Sequence, residues 1–185
     1  MRTRRPALFL AAAAALLLTG AAPQSAPAND FACRADFKTN GPHRATPLTG
    51  PPYAVTGRLK VERKEEQGSH YAASAYVQIM SYDGRDGVYL IVSGQKEFLG
   101  GTVEAELVSL RGGKRHDYYQ IGVFKTGVPT SFSLSLDEKG LATARFGSRT
   151  VKLRSAPLPR AAAVMGCSLG SFTFSELTPA IPAGN

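Results

Sequence analysis

Histidine is nearly absent from this chain: its 185 residues hold three, His43, His70 and His116. All three fall in expected loops without metal-ligand spacing. A zinc site needs three or four converging ligands, so neither a metal nor a cofactor is expected. His116 adjoins Asp117 on such a loop, where a solvated pair is the simpler reading than a catalytic one. No histidine follows Ser168. Gly166-Cys167-Ser168-Leu169-Gly170 matches the G-x-S-x-G nucleophile elbow, which requires a following helix and a later acid and histidine. Residues 171–174 instead alternate as a strand, so a serine hydrolase is excluded on two grounds. There is no sustained helical period, no internal repeat and no clustered basic run. The last absence, together with an export signal, argues against nucleic acid. Arg85 stands in Asp83-Gly84-Arg85-Asp86-Gly87 where a calcium loop needs an oxygen ligand, leaving a hairpin turn.

Cysteine occurs only twice, as Cys33 and Cys167. In an oxidising compartment the two read as a disulfide, with two buried thiols as the alternative. Residues 1–28 read as a secretory signal. Arg2, Arg4 and Arg5 precede an apolar run over residues 7–18, and small residues follow. That run is too short for a stable membrane span, and Asp30-Phe31-Ala32 before Cys33 is no lipidation box. A periplasmic or secreted protein is expected, with one domain over residues 29–177 and a loose tail over 178–185. Losing the three arginines lowers the formal charge from +8 to +5. That excess fits an acidic polysaccharide, or serves solubility alone. Oligomeric state is left open.

What is present is short-period alternation. Residues 129–153 carry it most cleanly: Phe132, Leu134 and Leu136 alternate with Ser131, Ser133 and Ser135, the mark of a half-buried strand. Asp137-Glu138-Lys139-Gly140 supplies a turn, with Gly140 free to take positive φ. Ala142, Ala144 and Phe146 point inward on the next strand, Val151 and Leu153 on a third, with Arg145 and Lys152 outside. Further strands are expected over residues 55–61, 71–82, 88–92, 102–110, 118–124 and 172–177. Residues 160–165 suit a strand better than a helical turn. Residues 40–52, rich in Pro and Gly, read as a surface connection. Many short strands punctuated by turns define an all-β, two-sheet antiparallel β-sandwich or a barrel.

The candidate binding residues, Arg145 apart, lie on the polar faces of two strands. Ala73, Ala75, Val77 and Ile79 share one face of the long strand. Tyr76, Gln78, Met80 and Tyr82 share the other. Lys60 and Glu62 project together from the strand before it, and Arg145 joins them more weakly. Tyrosines can present apolar ring surface to a sugar while keeping the hydroxyl hydrogen-bonded, beside an amide and cations. The alternative is that a second sheet covers this face, making Tyr76 and Met80 part of the core.

The order of these segments resembles the alginate-lyase type of polysaccharide lyase, a concanavalin A-like jelly roll. Tyr118-Tyr119-Gln120-Ile121-Gly122-Val123-Phe124, residues 132–136 and residues 140–147 look like that family's late strands. Its R-x-E-x-R strand resembles Lys60-Val61-Glu62-Arg63-Lys64, with lysines for both arginines. Its Q-I-H strand resembles Gln78-Ile79-Met80, with the histidine lost. Its K-A-G-x-Y strand resembles Val164-Met165-Gly166-Cys167-Ser168, with lysine and tyrosine lost. The resemblance implies a uronate polymer cleaved by β-elimination, which needs a base for the C5 proton and an acid for the leaving oxygen. Met80 can be neither. The expectation is therefore a glycan-binding sandwich with no catalytic residues. A divergent lyase with Tyr76 or Tyr118 as base, and a structural or partner-binding envelope protein, are the alternatives.

Overall fold

The computed structural model describes residues 30–35, 43–64, 73–94 and 101–179, with the side chains of residues 63 and 64 excepted. The leader at 1–28, His70, and residues 180–185 of the tail lie outside the described residues. Twelve strands are described: β1 (Phe31–Ala35), β2 (Arg44–Leu48), β3 (Tyr53–Lys64), β4 (Ala73–Met80), β5 (Gly87–Gly94), β6 (Thr102–Arg111), β7 (Lys114–Lys125), β8 (Thr130–Leu136), β9 (Leu141–Phe146), β10 (Arg149–Arg154), β11 (Ala161–Ser168) and β12 (Gly170–Thr178). They form two six-stranded sheets, in the order β1-β12-β3-β8-β9-β10 and β2-β11-β4-β5-β6-β7. Every pairing is antiparallel. Among the described residues no helix is long and apolar enough to cross a membrane. The fold is an all-β jelly-roll sandwich.

Alternation builds the core. Tyr53, Val55, Leu59 and Val61 of β3 turn inward with Phe132, Leu134 and Leu136 of β8 and with Phe172 and Phe174 of β12. Against them the second sheet turns Ala75, Val77 and Ile79 of β4, Val88, Leu90 and Val92 of β5, and Ala161, Ala163 and Met165 of β11. Phe174 stacks on Phe31 at 5.6 Å and meets Phe132 edge-on at 6.4 Å. The β8–β9–β10 meander lies at one edge of the first sheet, with Ala142, Ala144, Phe146 and Leu153 buried and Arg145 exposed. Its first turn is held by the Asp137 carboxylate, which accepts hydrogen bonds from the Lys139 and Leu141 amides at 2.9 and 2.7 Å. Gly140 takes φ 79°, and a Cβ there would lie 2.3 Å from the Ser155 carbonyl oxygen.

Three expectations need correcting. The Pro- and Gly-rich connection over residues 40–52 contains β2, which pairs with β11 at the edge of the second sheet. An edge strand tolerates Pro47 because its missing N–H can face away from the ladder. The strand expected over 71–82 stops at Met80. Ser81 ends it by closing a turn: its N–H bonds the Asp86 carbonyl, its carbonyl accepts from Gly84 N–H, and its hydroxyl accepts from Asp86 N–H. Tyr82 therefore sits in the turn, 60% exposed, off the strand face. Finally, the strand expected over 172–177 is longer: β12 runs from Gly170 to Thr178, with Thr178 paired to Thr56.

Cys33 and Cys167 are bonded, with Cα atoms 6.0 Å apart and a sequence separation of 134. Cys33 stands on β1 in the first sheet and Cys167 on β11 in the second, so the bridge ties the two layers together.

Candidate functional site

The outward residues of the second sheet form rows across five strands. Register places Val164, Gln78, Tyr89, Val108 and Tyr118 side by side from β11 to β7. The next row holds Gly166, Tyr76, Ile91, Glu106 and Gln120. A third holds Ser168, Ser74, Ser93, Glu104 and Val123. Strands about 4.8 Å apart make each row about 19 Å long. The core packs on the opposite side of this sheet, and among the described residues no further layer covers these rows.

Local contacts fix the polar groups. Arg115 bonds the Glu106 carboxylate at 3.0 Å and lies 4.2 Å from the centre of the Tyr118 ring. A cation held over an aromatic face stiffens both groups. Gln120 donates its side-chain amide to the Glu104 carboxylate, which is only 6% exposed. The Ser74 and Ser168 hydroxyls are 2.8 Å apart. Ser168 is thus engaged on a strand, and the G-x-S-x-G segment is the crossover from β11 to β12 through Leu169 at φ 50°.

Tyr76 lies over a gap left by glycine. A Cβ at Gly166 would fall 2.4 Å from the Tyr76 Oη, 2.6 Å from its Cζ and 3.1 Å from the His43 Cβ. The missing side chain lets the ring settle across β11 toward β2. Burial pushes the Tyr76 phenol pKa up. Burial also raises that of Tyr89, with Arg115 opposing and Glu106 adding to the effect. Both tyrosines are neutral hydrogen-bonding groups at physiological pH.

Beside the rows, Ala45, Pro47, Gln78, Met80, Tyr82, Leu110 and Val164 line an open cleft of about 470 Å³. Met80, the residue that the Q-I-H resemblance sets against a histidine, is 6% exposed. It packs so closely on β5 that a Cβ at Gly87 would meet its sulfur at 2.6 Å. The Asp83–Gly87 segment is a hairpin turn whose carboxylates are both used: Asp83 accepts from Ser81 and Arg85 N–H, and Asp86 from Gly112 N–H. The Ser81 and Arg85 hydrogen bonds hold the Asp83 pKa below the ordinary value.

The six expected binding residues do not share a surface. Tyr76 and Gln78 are on the second sheet's outer face, and Tyr82 joins Gln78 at the cleft. Lys60, Glu62 and Arg145 are on the outer face of the first sheet, across the core. Lys60 and Glu62 pair at 2.7 Å, and Glu62 also accepts from the Thr173 hydroxyl at 3.3 Å. The lyase-like segments divide in the same way. Those of β4 and β11 are neighbours, with Gln78 opposite Val164, whereas the R-x-E-x-R-like segment belongs to the other sheet. The sequence reading missed Tyr89, Glu106, Arg115 and Gln120 as site residues. Alternation of Val88, Leu90 and Val92 with Tyr89, Ile91 and Ser93 would have placed Tyr89 outside the core.

No family model matches the chain, and no curated protein matches it in sequence. Solved structures do match in fold. An alginate lyase from Alteromonas sp. 272 superposes with a TM-score of 0.57 at 10% identity, covering 86% of this chain and 90% of that one. A polysaccharide lyase of family 18 gives 0.57 at 9% identity, covering 84% and 88%. A galectin from Caenorhabditis elegans gives 0.50 at 12% identity, covering 84% and 96%. The chain thus resembles alginate lyases in its jelly-roll scaffold.

Proposed function

We propose that this protein is exported and binds a glycan on the outer face of its second sheet without cleaving it. The observation that carries this reading is the platform, covered by no further layer among the described residues, on which Tyr76, Tyr89 and Tyr118 stand among Gln78, Gln120 and the Glu106–Arg115 pair. Its tyrosines offer apolar ring faces with hydroxyls at their edges. Amides and a carboxylate held by a guanidinium offer donors and acceptors for sugar hydroxyls. The acidic and basic groups of this platform nearly balance, which suits an uncharged, hydroxyl-rich chain. The inter-sheet disulfide supports export, because such bonds persist in oxidising compartments. Lyase and galectin scaffolds of the same shape give the reading its precedent. Calorimetric titration against neutral and uronate oligosaccharides tests it: saturable binding to at least one is expected, with a Tyr118→Ala variant binding at least fivefold more weakly. No saturable binding across the panel would overturn it.

One observation favours a divergent lyase as the second reading: His43 and Tyr76 both flank the space above Gly166. A tyrosine whose pKa burial has raised is a poor base at neutral pH, so the base would be His43 and Tyr76 the proton donor. Incubation with uronate polymers would then generate unsaturated sugar ends and new ultraviolet absorbance, lost in a His43→Ala variant. The binding reading expects no such product.

A further inference from the structure

The outer face of the first sheet differs in kind from that of the second. Its outward side chains on β3, β8, β9, β10 and β12 are mostly Ser and Thr: Thr56, Ser131, Ser133, Ser135, Thr143, Thr150, Ser171, Thr173 and Ser175. Set among them are six cations, Arg34, Arg58, Lys60, Arg145, Lys152 and Arg154. The two carboxylates on this face are both paired, Glu62 with Lys60 at 2.7 Å and Glu176 with Arg58 at 3.5 Å. Among the described residues, Arg145, Lys152 and Arg154 have no carboxylate within ion-pair distance. Among its described residues the face therefore carries an excess of four positive charges.

Register spaces these charges. Arg145 pairs with Thr150, so Lys152 is its diagonal neighbour at about 7–8 Å. Arg145 and Arg58 flank Ser133 and Ser131 on opposite sides of β8, about 12 Å apart by strand spacing. No aromatic residue projects from these positions, so there is nothing for a nucleobase to stack on. No large exposed hydrophobic residue lies there either, so the face lacks the apolar surface that a lipid bilayer or protein partner would bury.

We propose that this face is a second binding surface, separate from the tyrosine platform, and that its ligand is an extended anionic polysaccharide. Spaced cations take the carboxylates or sulfates, and the intervening Ser and Thr hydroxyls hydrogen-bond the sugar hydroxyls. A flat array without a pocket recognises a repeating polymer better than a short oligosaccharide. Because the two surfaces are on opposite sides of the sandwich, one molecule could hold two chains at once. Binding here is screened by salt, as contacts between exposed charges are.

The test measures binding of the disulfide-intact protein to polygalacturonate, heparin and neutral dextran at 50 and 300 mM salt. Saturable binding to polygalacturonate, heparin or both at 50 mM is expected, at least tenfold weaker at 300 mM, with none to dextran through this face. The two polyanions separate carboxylate from sulfate recognition. R145Q/K152Q/R154Q is expected to lose at least tenfold in affinity and to flatten the log affinity against log salt slope by about two, by release of fewer counterions. All three positions are exposed, so the variant should melt like the wild type. Should it not fold, R145Q alone is expected to cost two- to threefold. A Gly166→Val variant, which disrupts the other face, should bind both polyanions normally, so failure of the platform reading leaves this one standing. The proposal is overturned if the wild type binds neither polyanion at 50 mM, or if the charge variants bind like the wild type. Equal loss in Gly166→Val would overturn it too, as would tenfold tighter binding to duplex DNA or anionic phosphatidylglycerol vesicles.

Discussion

A Cys33→Ser/Cys167→Ser variant is expected to melt about 10–20 °C below the wild type. Closing a loop of 134 residues removes unfolded-state entropy worth about 5 kcal/mol in the chain-entropy model. In a domain of this size each kcal/mol moves the melting temperature by about 2–4 °C. The position of the bond adds to the argument. It joins β1, an edge strand held in the first sheet only by β12, to β11, which lies between β2 and β4 in the second. Without it β1 has five paired residues, the packing of Phe31 on Phe174 and the Arg44 guanidinium over the Phe31 ring to keep it in place. Scanning calorimetry with and without reductant measures the effect. A melting temperature within 3 °C of the wild type would mean that the bridge contributes little.

Gly166→Val is expected to weaken glycan binding at least tenfold, which is about 1.4 kcal/mol, while shifting the melting temperature by only a few degrees. The new Cβ would occupy space within 2.4–2.6 Å of the outer atoms of the Tyr76 ring. That ring is half-buried and on the outer face of the second sheet, so it can swing outward rather than disrupt the core. What is lost is the ring's position in the row between Gly166 and Ile91. Tyr76→Phe separates ring from hydroxyl: keeping the ring but losing one hydrogen bond, it should cost only about two- to fivefold. Calorimetric affinities for both variants, alongside their melting curves, check the pair. Unchanged affinity in Gly166→Val would remove Tyr76 from the site.

Which face each residue takes was legible in the sequence; which sheet each strand joins was not. The serine–leucine alternation of β8, the Asp137–Gly140 turn and the inward Ala142, Ala144 and Phe146 followed directly from a period of two. The same rule put Lys60 and Glu62 on one polar face and Tyr76 and Gln78 on another. It could not show that those faces point away from each other, because β3 pairs with β8 and β12 while β4 pairs with β5 and β11. That is a matter of long-range pairing, and local pattern carries little of it. The platform itself is assembled from five strands that span residues 73 to 168; the sequence marks only its β4 portion as a binding face, and Tyr118 of β7 enters only as a base in the lyase alternative. The edge strands β1 and β2 were hidden for a different reason. Each has five residues, and Pro47 with its neighbouring prolines looks like loop chemistry until an edge position is known. The alanines at 161–163 favour a helix by propensity, yet β11 runs between β2 and β4, where small buried side chains let it pack under the opposite sheet.

Amide chemical-shift mapping during titration with the tightest-binding oligosaccharide tests the central claim most directly. Perturbations concentrated on β4, β5, β6, β7 and β11, including Tyr76, Gln78, Tyr89 and Tyr118, are the predicted result. Saturable binding whose perturbations avoid those strands would contradict the account.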